Sequence, residues 1–324
     1  MADLKLSVAR LTEILRRQER PTFGTGYEPA IKACREEAPA GSRFAEVWSK
    51  RLGRYVHTLS GPERAFLSVL LYCDCGLFEL QEQRMLPYAP AAHPLEGHPR
   101  AIGLQLDRFR GTLKVADELH HLSFHPFIRL TGDGARDVPG CWIGDYLGFF
   151  LDAQGPFCRN FNIKGTRAEF TVPSYGVTVN TRLLRATARN TARHEVEKQL
   201  YAEIGIRTIE VATDEIPGIL VANLQELLRW QKHRHALTPE QAQVVVDAFN
   251  DGLEAGASPL EVMEVVQLEQ RIAMYDQKIV LMQGVFDRKV RLDLFDAHVF
   301  IDKPMVPEQQ DVLDVFGGWF RREA

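Results

Sequence analysis

The chain has 324 residues, of which 45% are hydrophobic and 25% are charged. This composition is typical of a folded globular protein and excludes a disordered chain. The apolar run at residues 66–73 is far shorter than the roughly 18 residues that a membrane span needs, and residues 1–20 are too charged for a secretory signal. Together with five scattered cysteines, this predicts a cytoplasmic protein with reduced thiols and no membrane association.

The net charge of −4 is unevenly distributed. Residues 236–324 hold eight Lys and Arg against sixteen Asp and Glu, a net charge of −8, whereas residues 159–193 hold seven Lys and Arg against one acid, Glu169. At roughly 150 residues per domain the length favours two domains, which we place at residues 1–235 and 236–324. The basic segment of the first domain could bind nucleic acid. The acidic second domain should repel nucleic acid and is better suited to binding a protein.

In the first domain, Leu4, Val8, Leu11 and Leu15 lie on one face of a predicted N-terminal helix. Residues 20–53 are predicted as loop. Ser60 followed by Glu63, with Pro62 between them, is typical of a capping-box helix start. Residues 87–124 are predicted as irregular. Three strands are predicted at 78–86, 142–151 and, half-buried, 157–164, followed by a helix at 181–203, a strand at 206–211 and a helix at 219–230.

In the second domain, two further capping boxes begin at Thr238 and Ser258. A third helix is predicted near residues 271–283. Alternating apolar residues at 290–294 indicate a strand, and 298–301 could pair with it as a hairpin. Three helices and a hairpin predict a mostly helical, winged-helix-like arrangement.

From residue 60 to 211 the predicted order is α-β-β-β-α-β. This α/β order is typical of restriction-endonuclease-like nucleases, whose PD-(D/E)xK site cleaves phosphodiesters with two carboxylates, a metal ion and a lysine. Glu63, Asp145 and Lys164 can supply these groups. A turn near Gln154 would set Asp145 and Lys164 side by side on two paired strands.

Each of these residues also has an ordinary structural explanation. Glu63 could only cap its helix, Asp145 could end a hairpin, and Lys164 could be a solvated surface residue. The combination at this topology is more specific than any one of them.

Several motifs in order resemble the TnsA family, the endonuclease subunits of heteromeric cut-and-paste transposases. The N-terminal part of the resemblance lies in FGTGYEP at residues 23–29, LGRYVHTLSGPE at 52–63, LQEQ at 80–83 and LP at 86–87. Later matches are HPFIR at 125–129, GDYL at 144–147, GPF at 155–157 and NIK at 162–164. The resemblance covers most of the chain and is looser after residue 235.

The resemblance implies a Mg²⁺-dependent DNA endonuclease, with Mn²⁺ able to substitute, that cuts the 5′ ends of a transposon. It implies catalytic roles for Glu63, Asp145 and Lys164, and metal ligation by Glu63, Asp145 and the Ile163 carbonyl. Asn162 would support these groups without touching the metal. From their place on the first strand, Glu82 and Gln83 could support them in the same way or could be only polar residues at its edge. The implied partners are the transposon ends, the partner transposase TnsB and the ATPase regulator TnsC.

Asn162 departs from the family pattern, which has a Gln two residues before the Lys. This departure leaves open a catalytically silent DNA-binding or assembly subunit of the same fold. A transcription-factor winged helix at residues 236–324 is disfavoured by the net charge of −8.

A row of arginines is the last candidate site. Arg182, Arg185, Arg189 and Arg193 are spaced to lie on one face of the predicted helix. No acid is interspersed for i,i+4 pairing, so we expect this face to contact DNA phosphates, with a solvated surface as the alternative.

Overall fold

The structure is a computed structural model that describes residues 6–130, 135–171 and 181–322, with no side-chain description for 181–184. It is a mixed α/β protein built on a four-stranded mixed sheet. The strands of this sheet are β3 (Leu77–Glu82), β6 (Tyr146–Asp152), β7 (Gly155–Lys164) and β8 (Arg207–Ala212). They lie in the order β3-β6-β7-β8, antiparallel except for the parallel pair β7-β8.

Helices cover both faces of this sheet. Phe150, Phe161 and Ile163 pack into one core with α2 (Gly61–Tyr72) and α5 (Gly218–Trp230). Leu147 and Phe149 point the other way, into a second core with α4 (Thr181–Ala202). The predicted order α-β-β-β-α-β is therefore confirmed for the elements that build the sheet. The prediction that β7 is half-buried is wrong, because helices cover both of its faces and residues 158–164 are all buried.

An N-terminal layer covers the edge of this sheet. The predicted helix is confirmed from Val8 to Gln18 as α1, and Leu4 lies outside the described residues. The predicted apolar face is only partly correct, because Val8 is exposed and Ile14 is buried with Leu11. The predicted loop at 20–53 contains a strand. That strand, β1 (Ala45–Ser49), pairs with β2 (Arg54–Thr58) in an antiparallel hairpin. Arg54 forms a buried bidentate ion pair with Glu82 of β3, with N–O distances of 2.8 and 2.9 Å, and so ties the hairpin to the main sheet. The segment predicted as irregular also contains α3 (Thr112–Glu118), and a two-stranded pair follows it, β4 (Phe127–Arg129) with β5 (Asp137–Pro139).

The C-terminal part is helical, with α6 (Pro239–Glu254), α7 (Pro259–Gln270), α8 (Met274–Phe286) and α9 (Val312–Phe316). Both predicted capping boxes are confirmed: the Thr238 and Ser258 hydroxyls accept from the backbone of Gln241 and Glu261, which reach back in turn. The predicted hairpin between 290–294 and 298–301 is wrong. Leu292 instead bridges to Pro307, because 291–293 hydrogen-bond to 306–308.

One hydrophobic core runs through both predicted domains. Phe320 is fully buried, with its ring centroid 6.2 Å from Phe66, 6.2 Å from Phe150 and 6.0 Å from Phe161. The domain boundary at residue 235 stays a prediction, but apolar packing is continuous across it. Within the described ranges, no helix is long and apolar enough to cross a membrane.

Candidate active site

Glu63 lies at the start of α2 and is 2% exposed. The Ser60 hydroxyl accepts from its backbone N–H at 3.2 Å, as expected for an N-cap. The carboxylate accepts three hydrogen bonds: Ser60 Oγ at 2.8 Å, Leu59 N–H at 2.8 Å and Gln83 Nε2 at 2.9 Å. Burial, together with the nearby Asp145 carboxylate, raises the pKa of Glu63 to about 7. Glu63 thus supports the N-cap of its helix through Ser60 and Leu59, and its raised pKa favours the protonated carboxyl group.

Asp145 lies immediately before β6 and is 1% exposed. Its Oδ2 accepts the Ile163 backbone N–H at 2.7 Å, whereas the buried Oδ1 has no hydrogen-bond partner among the described residues. A buried carboxylate oxygen without a donor is costly unless a cation or water satisfies it. The orphaned oxygen therefore marks a place where a positively charged group would be stabilised.

The predicted side-by-side placement of Asp145 and Lys164 is wrong by two residues. Asp152 pairs with Gly155 and Tyr146 with Phe161, so Asn162 is the ladder position opposite Asp145. The turn is centred one residue earlier than expected, and in an antiparallel pair this moves every partner by two. Asp145 still reaches the end of β7, through Ile163 rather than Lys164.

Gln83 bridges Glu63 and Asp145. Its side chain donates to Glu63, and its backbone N–H donates to the Asp145 carbonyl at 2.8 Å. Its φ of 47° is in the left-handed region, which is unfavourable for a residue other than glycine and is a feature of functional sites. These contacts place Gln83 beside both predicted carboxylates, and its supporting role stays a prediction.

Lys164 is 9% exposed at the end of β7. Its ammonium lies 6.0 Å from the centroid of the Phe170 ring, and its charge lowers the pKa of Glu63 against the effect of burial. Glu63, Ile163 and Lys164 line one cleft of about 330 Å³, together with residues 39–43, Gly165 and Glu169. The structure therefore brings the three predicted catalytic residues into one neighbourhood. Glu63 and Lys164 line the cleft, and the buried Asp145 is hydrogen-bonded to Ile163, which also lines it.

Two residues of α4, Glu197 and His194, extend this network and were missed in the sequence. Glu197 is 0% exposed and accepts from Asn160 Nδ2 at 3.1 Å; burial and the Asp145 carboxylate raise its pKa. With its amide nitrogen toward this carboxylate, Asn162 donates to the two Glu197 oxygens at 3.1 and 3.2 Å and accepts from His194 Nδ1 at 3.2 Å. The opposite orientation would set the amide oxygen against a carboxylate. The signal for Glu197 was its position next to Val196 and three residues before Leu200, on the apolar face of α4.

The arginine row is not one exposed face. Arg185 is exposed and Arg189 is half-buried, while the side chain of Arg182 lies outside the described part of the chain. Arg193 turns inward: it donates to the Ile143 carbonyl at 2.7 Å and lies 3.5 Å from Glu197. The prediction that Arg193 offers an unpaired cation to DNA is therefore wrong, because the nearby buried carboxylate holds its guanidinium.

The residues present can be tested against a metal ion. Among the described residues, no three His, Cys, Asp or Glu side chains converge as a metal site. The oxygens available are two carboxylates, Glu63 and Asp145, with the Ile163 carbonyl. A set of few protein oxygens suits Mg²⁺, which keeps several of its waters, and the orphaned Asp145 Oδ1 fits a cation. Comparison with known protein families and with curated proteins gave no match for this chain.

Proposed function

We propose that the protein is a metal-dependent DNA endonuclease, a subunit of a heteromeric transposase that cuts the 5′ ends of transposon DNA. The observation that carries this proposal is the buried Asp145 carboxylate. One of its oxygens is fixed by the Ile163 N–H and the other has no donor, beside a cleft that Glu63 and Lys164 line.

The topology supports a restriction-endonuclease-like core. Helix α2 carries Glu63, β6 begins directly after Asp145, and β7 ends at Lys164. The helix that follows packs on the sheet and leads to a parallel fourth strand. This arrangement brings an acid from a helix to the ends of the two central strands, β6 and β7, on one side of the sheet.

Glu63, Asp145 and the Ile163 carbonyl would hold Mg²⁺, with Mn²⁺ as a substitute. When bound, the metal would supply charge neutralisation at the scissile phosphate and a more acidic attacking water. The residues of the chain do the positioning. Gln83 and the N-cap of α2 orient the Glu63 carboxylate, and the Ile163 N–H orients that of Asp145. Lys164 places a cation in the cleft, where it would stabilise negative charge on the phosphate.

The partners in this proposal come from the resemblance to the TnsA family. They are the transposon ends, the transposase TnsB, which would process the 3′ ends, and the ATPase regulator TnsC. The acidic residues 236–324 suit a protein partner with a basic surface. A cytoplasmic location belongs to the same proposal.

A catalytically silent DNA-binding or assembly subunit is the second candidate. The observation that favours it is that the Glu63 carboxylate already accepts three hydrogen bonds from protein groups. Two of them come from Leu59 and Ser60 at the start of α2, and the third comes from Gln83. In that case Glu63 and Asp145 would be structural carboxylates, and Asn162 would mark the loss of a working site.

Cleavage of a labelled transposon end distinguishes the two candidates. The purified chain would be incubated with TnsB, TnsC and the end DNA in Mg²⁺, Mn²⁺, Ca²⁺ or EDTA. We expect 5′-strand nicks in Mg²⁺ and Mn²⁺ and none in Ca²⁺ or EDTA. DNA or partner binding without any 5′ nick in Mg²⁺ or Mn²⁺ would favour the silent subunit, and full cleavage in EDTA would exclude the metal mechanism.

A further inference from the structure

The side chain of Asn162 is held between two residues of α4. His194 Nδ1 lies 3.2 Å from its amide oxygen, and both Glu197 oxygens accept from its nitrogen. Glu197 also accepts from Asn160, two residues earlier on the same face of β7. The end of β7, at residues 160–162, is therefore held to α4 by side-chain hydrogen bonds, in addition to its backbone pairing with β8.

Asn162 is directly connected to the groups of the candidate site. The next residue, Ile163, donates its N–H to Asp145, and it lines the cleft together with the following residue, Lys164. A rotation of the Asn162 backbone would move both groups. Displacements of about 1 Å at catalytic groups cost on the order of 10²-fold in rate, so the anchoring of this residue matters for chemistry.

His194 is buried with one ring nitrogen left without a hydrogen-bond partner among the described residues. It is 6% exposed, its ring packs at 5.6 Å against Phe170, and its Nε2 has no partner among the described residues. Burial, together with the charges of Arg193 and Lys164, lowers the pKa of His194 to about 2, so at neutral pH only one ring nitrogen carries a proton. Placing that proton on Nδ1 satisfies Asn162 and leaves Nε2 as a buried acceptor, whose desolvation costs about 1–3 kcal/mol. A leucine would remove the unpaired Nε2 but would leave the buried Asn162 amide oxygen without its donor, at a similar cost.

We propose, on the basis of the proposed endonuclease function, that His194 is a positioning residue. Through the hydrogen bond of its Nδ1–H to the Asn162 amide oxygen, it fixes residues 162–164 against Asp145. Its contribution is to the rate of cleavage, because its effects on stability, one satisfied amide oxygen and one unpaired ring nitrogen, offset each other.

The test compares His194→Leu, His194→Asn and His194→Gln in the full chain. Asn can place a donor near the position of Nδ1, whereas Gln places its amide near that of Nε2. We expect His194→Leu to melt near the wild-type temperature, because the loss of the unpaired Nε2 is offset by an Asn162 amide oxygen left without its donor. It should nick DNA with kcat reduced about 10- to 100-fold, with KM for DNA unchanged. His194→Asn should stay within threefold of wild type, and His194→Gln should resemble His194→Leu.

Hydrogen exchange of the metal-free protein gives a second readout that does not need activity. Backbone amides of 160–164 should exchange at least tenfold faster in His194→Leu, while those of 155–158 stay unchanged. His125→Leu is a matched control, since His125 is another buried histidine, hydrogen-bonded to Thr112 at 2.9 Å; it should leave exchange at 160–164 unaffected.

These readouts separate the two proposals. If the wild type never nicks DNA, the endonuclease function fails while the exchange result still decides the role of His194. Wild-type exchange at 160–164 in His194→Leu would overturn the positioning role, as would wild-type nicking by this variant. If His194→Leu does not fold, the comparison of His194→Asn with His194→Gln tests the positioning role. Equal hydrogen exchange and equal nicking rates for these two variants would overturn it.

Discussion

The Ile163 N–H donates to Asp145 Oδ2 at 2.7 Å, although the two residues are 18 positions apart. This bond joins the position before β6 to the end of β7, where the ladder itself has already stopped at the pair Tyr146–Phe161. It uses one carboxylate oxygen and leaves the other without a donor among the described residues. The bond therefore orients Asp145 and also places the Ile163 carbonyl beside it.

Replacing Asp145 by Asn separates orientation from charge. The amide oxygen can still accept from Ile163, so the fold should persist, but the cation site loses its charge. We expect 5′-strand cleavage to fall about 10³-fold or more, with a melting temperature no lower than that of the wild type. Asp152→Asn is the matched control, because this carboxylate binds Arg322 at the far end of β6. Near wild-type cleavage by Asp145→Asn in Mg²⁺ would contradict the assignment.

Replacing Glu63 by Gln should remove a pH dependence of stability. The pKa of Glu63 is raised in the folded protein to about 7, so its stabilising contribution is full below the unfolded value near 4.5 and is lost as pH rises through 7. Relative to Glu63→Gln, the metal-free wild type should lose on the order of 2 kcal/mol between pH 5 and 8. Urea denaturation in EDTA measures this difference.

Glu261→Gln is the control for this experiment. Glu261 occupies the same capping-box position on α7, but hydrogen bonds from the Ser258 backbone and hydroxyl lower its pKa. Its stabilising contribution is present above the unfolded pKa and is lost only as pH falls through the lowered value. The difference between wild type and Glu261→Gln should stay constant from pH 5 to 8. If the free-energy difference between wild type and Glu63→Gln also stayed constant from pH 5 to 8, the pKa of Glu63 would not be raised by burial.

The helix starts could be predicted from the sequence because caps are local. Ser60, Thr238 and Ser258 each accept a backbone N–H three residues later. The missed hairpin β1-β2 depends on a distant partner, since Arg54 forms a buried ion pair with Glu82 of β3. The predicted hairpin after α8 failed for a similar reason: Leu292 pairs across a longer loop, to Pro307.

The site was predictable only in part. Residue types and element order identified Glu63, Asp145 and Lys164, because the carboxylates and the lysine lie at element ends. The register was misplaced by two, since it depends on where a two-residue turn begins. His194 and Glu197 carry no motif, and their role becomes visible only when α4 lies over Asn162. The inward orientation of Arg193 could not be predicted for the same reason, because it depends on the buried carboxylate of Glu197.

Arg185 and Arg193 should respond differently to alanine substitution. Arg185 is exposed, and if it contacts one phosphate its loss should reduce the slope of log K against log salt by about 0.9. Arg193→Ala would leave Glu197 buried without its cation, which costs on the order of 3 kcal/mol at pH 8, with no change in slope. Duplex-binding titrations at several salt concentrations and urea denaturation of both variants test this pair. An unchanged slope for Arg185→Ala would remove the helix from the DNA interface.

Phe320 tests whether the predicted domains unfold separately. Its ring is fully buried among Phe66, Phe150 and Phe161, and the neighbouring Arg322 binds Asp152. Because the last residues of the chain complete the core beneath the sheet, Phe320→Ala should cost about 3–5 kcal/mol. The cost should appear in the unfolding of the sheet as well as the C-terminal helices. The exposed Val315 is the control, with an expected change within about 0.5 kcal/mol for Val315→Ala.

Hydrogen exchange under native conditions shows where the lost stability appears. If the chain unfolds as one unit, Phe320→Ala should speed exchange equally in β6 and in α8, and a single urea transition should be seen by all probes. Truncation at residue 235 would then yield a chain with an exposed apolar face on α2 and α5, and not a stable nuclease core. Two separate transitions, with β6 unaffected by Phe320→Ala, would instead support an independent domain at 236–324. The acidic segment could then be tested alone for protein partners.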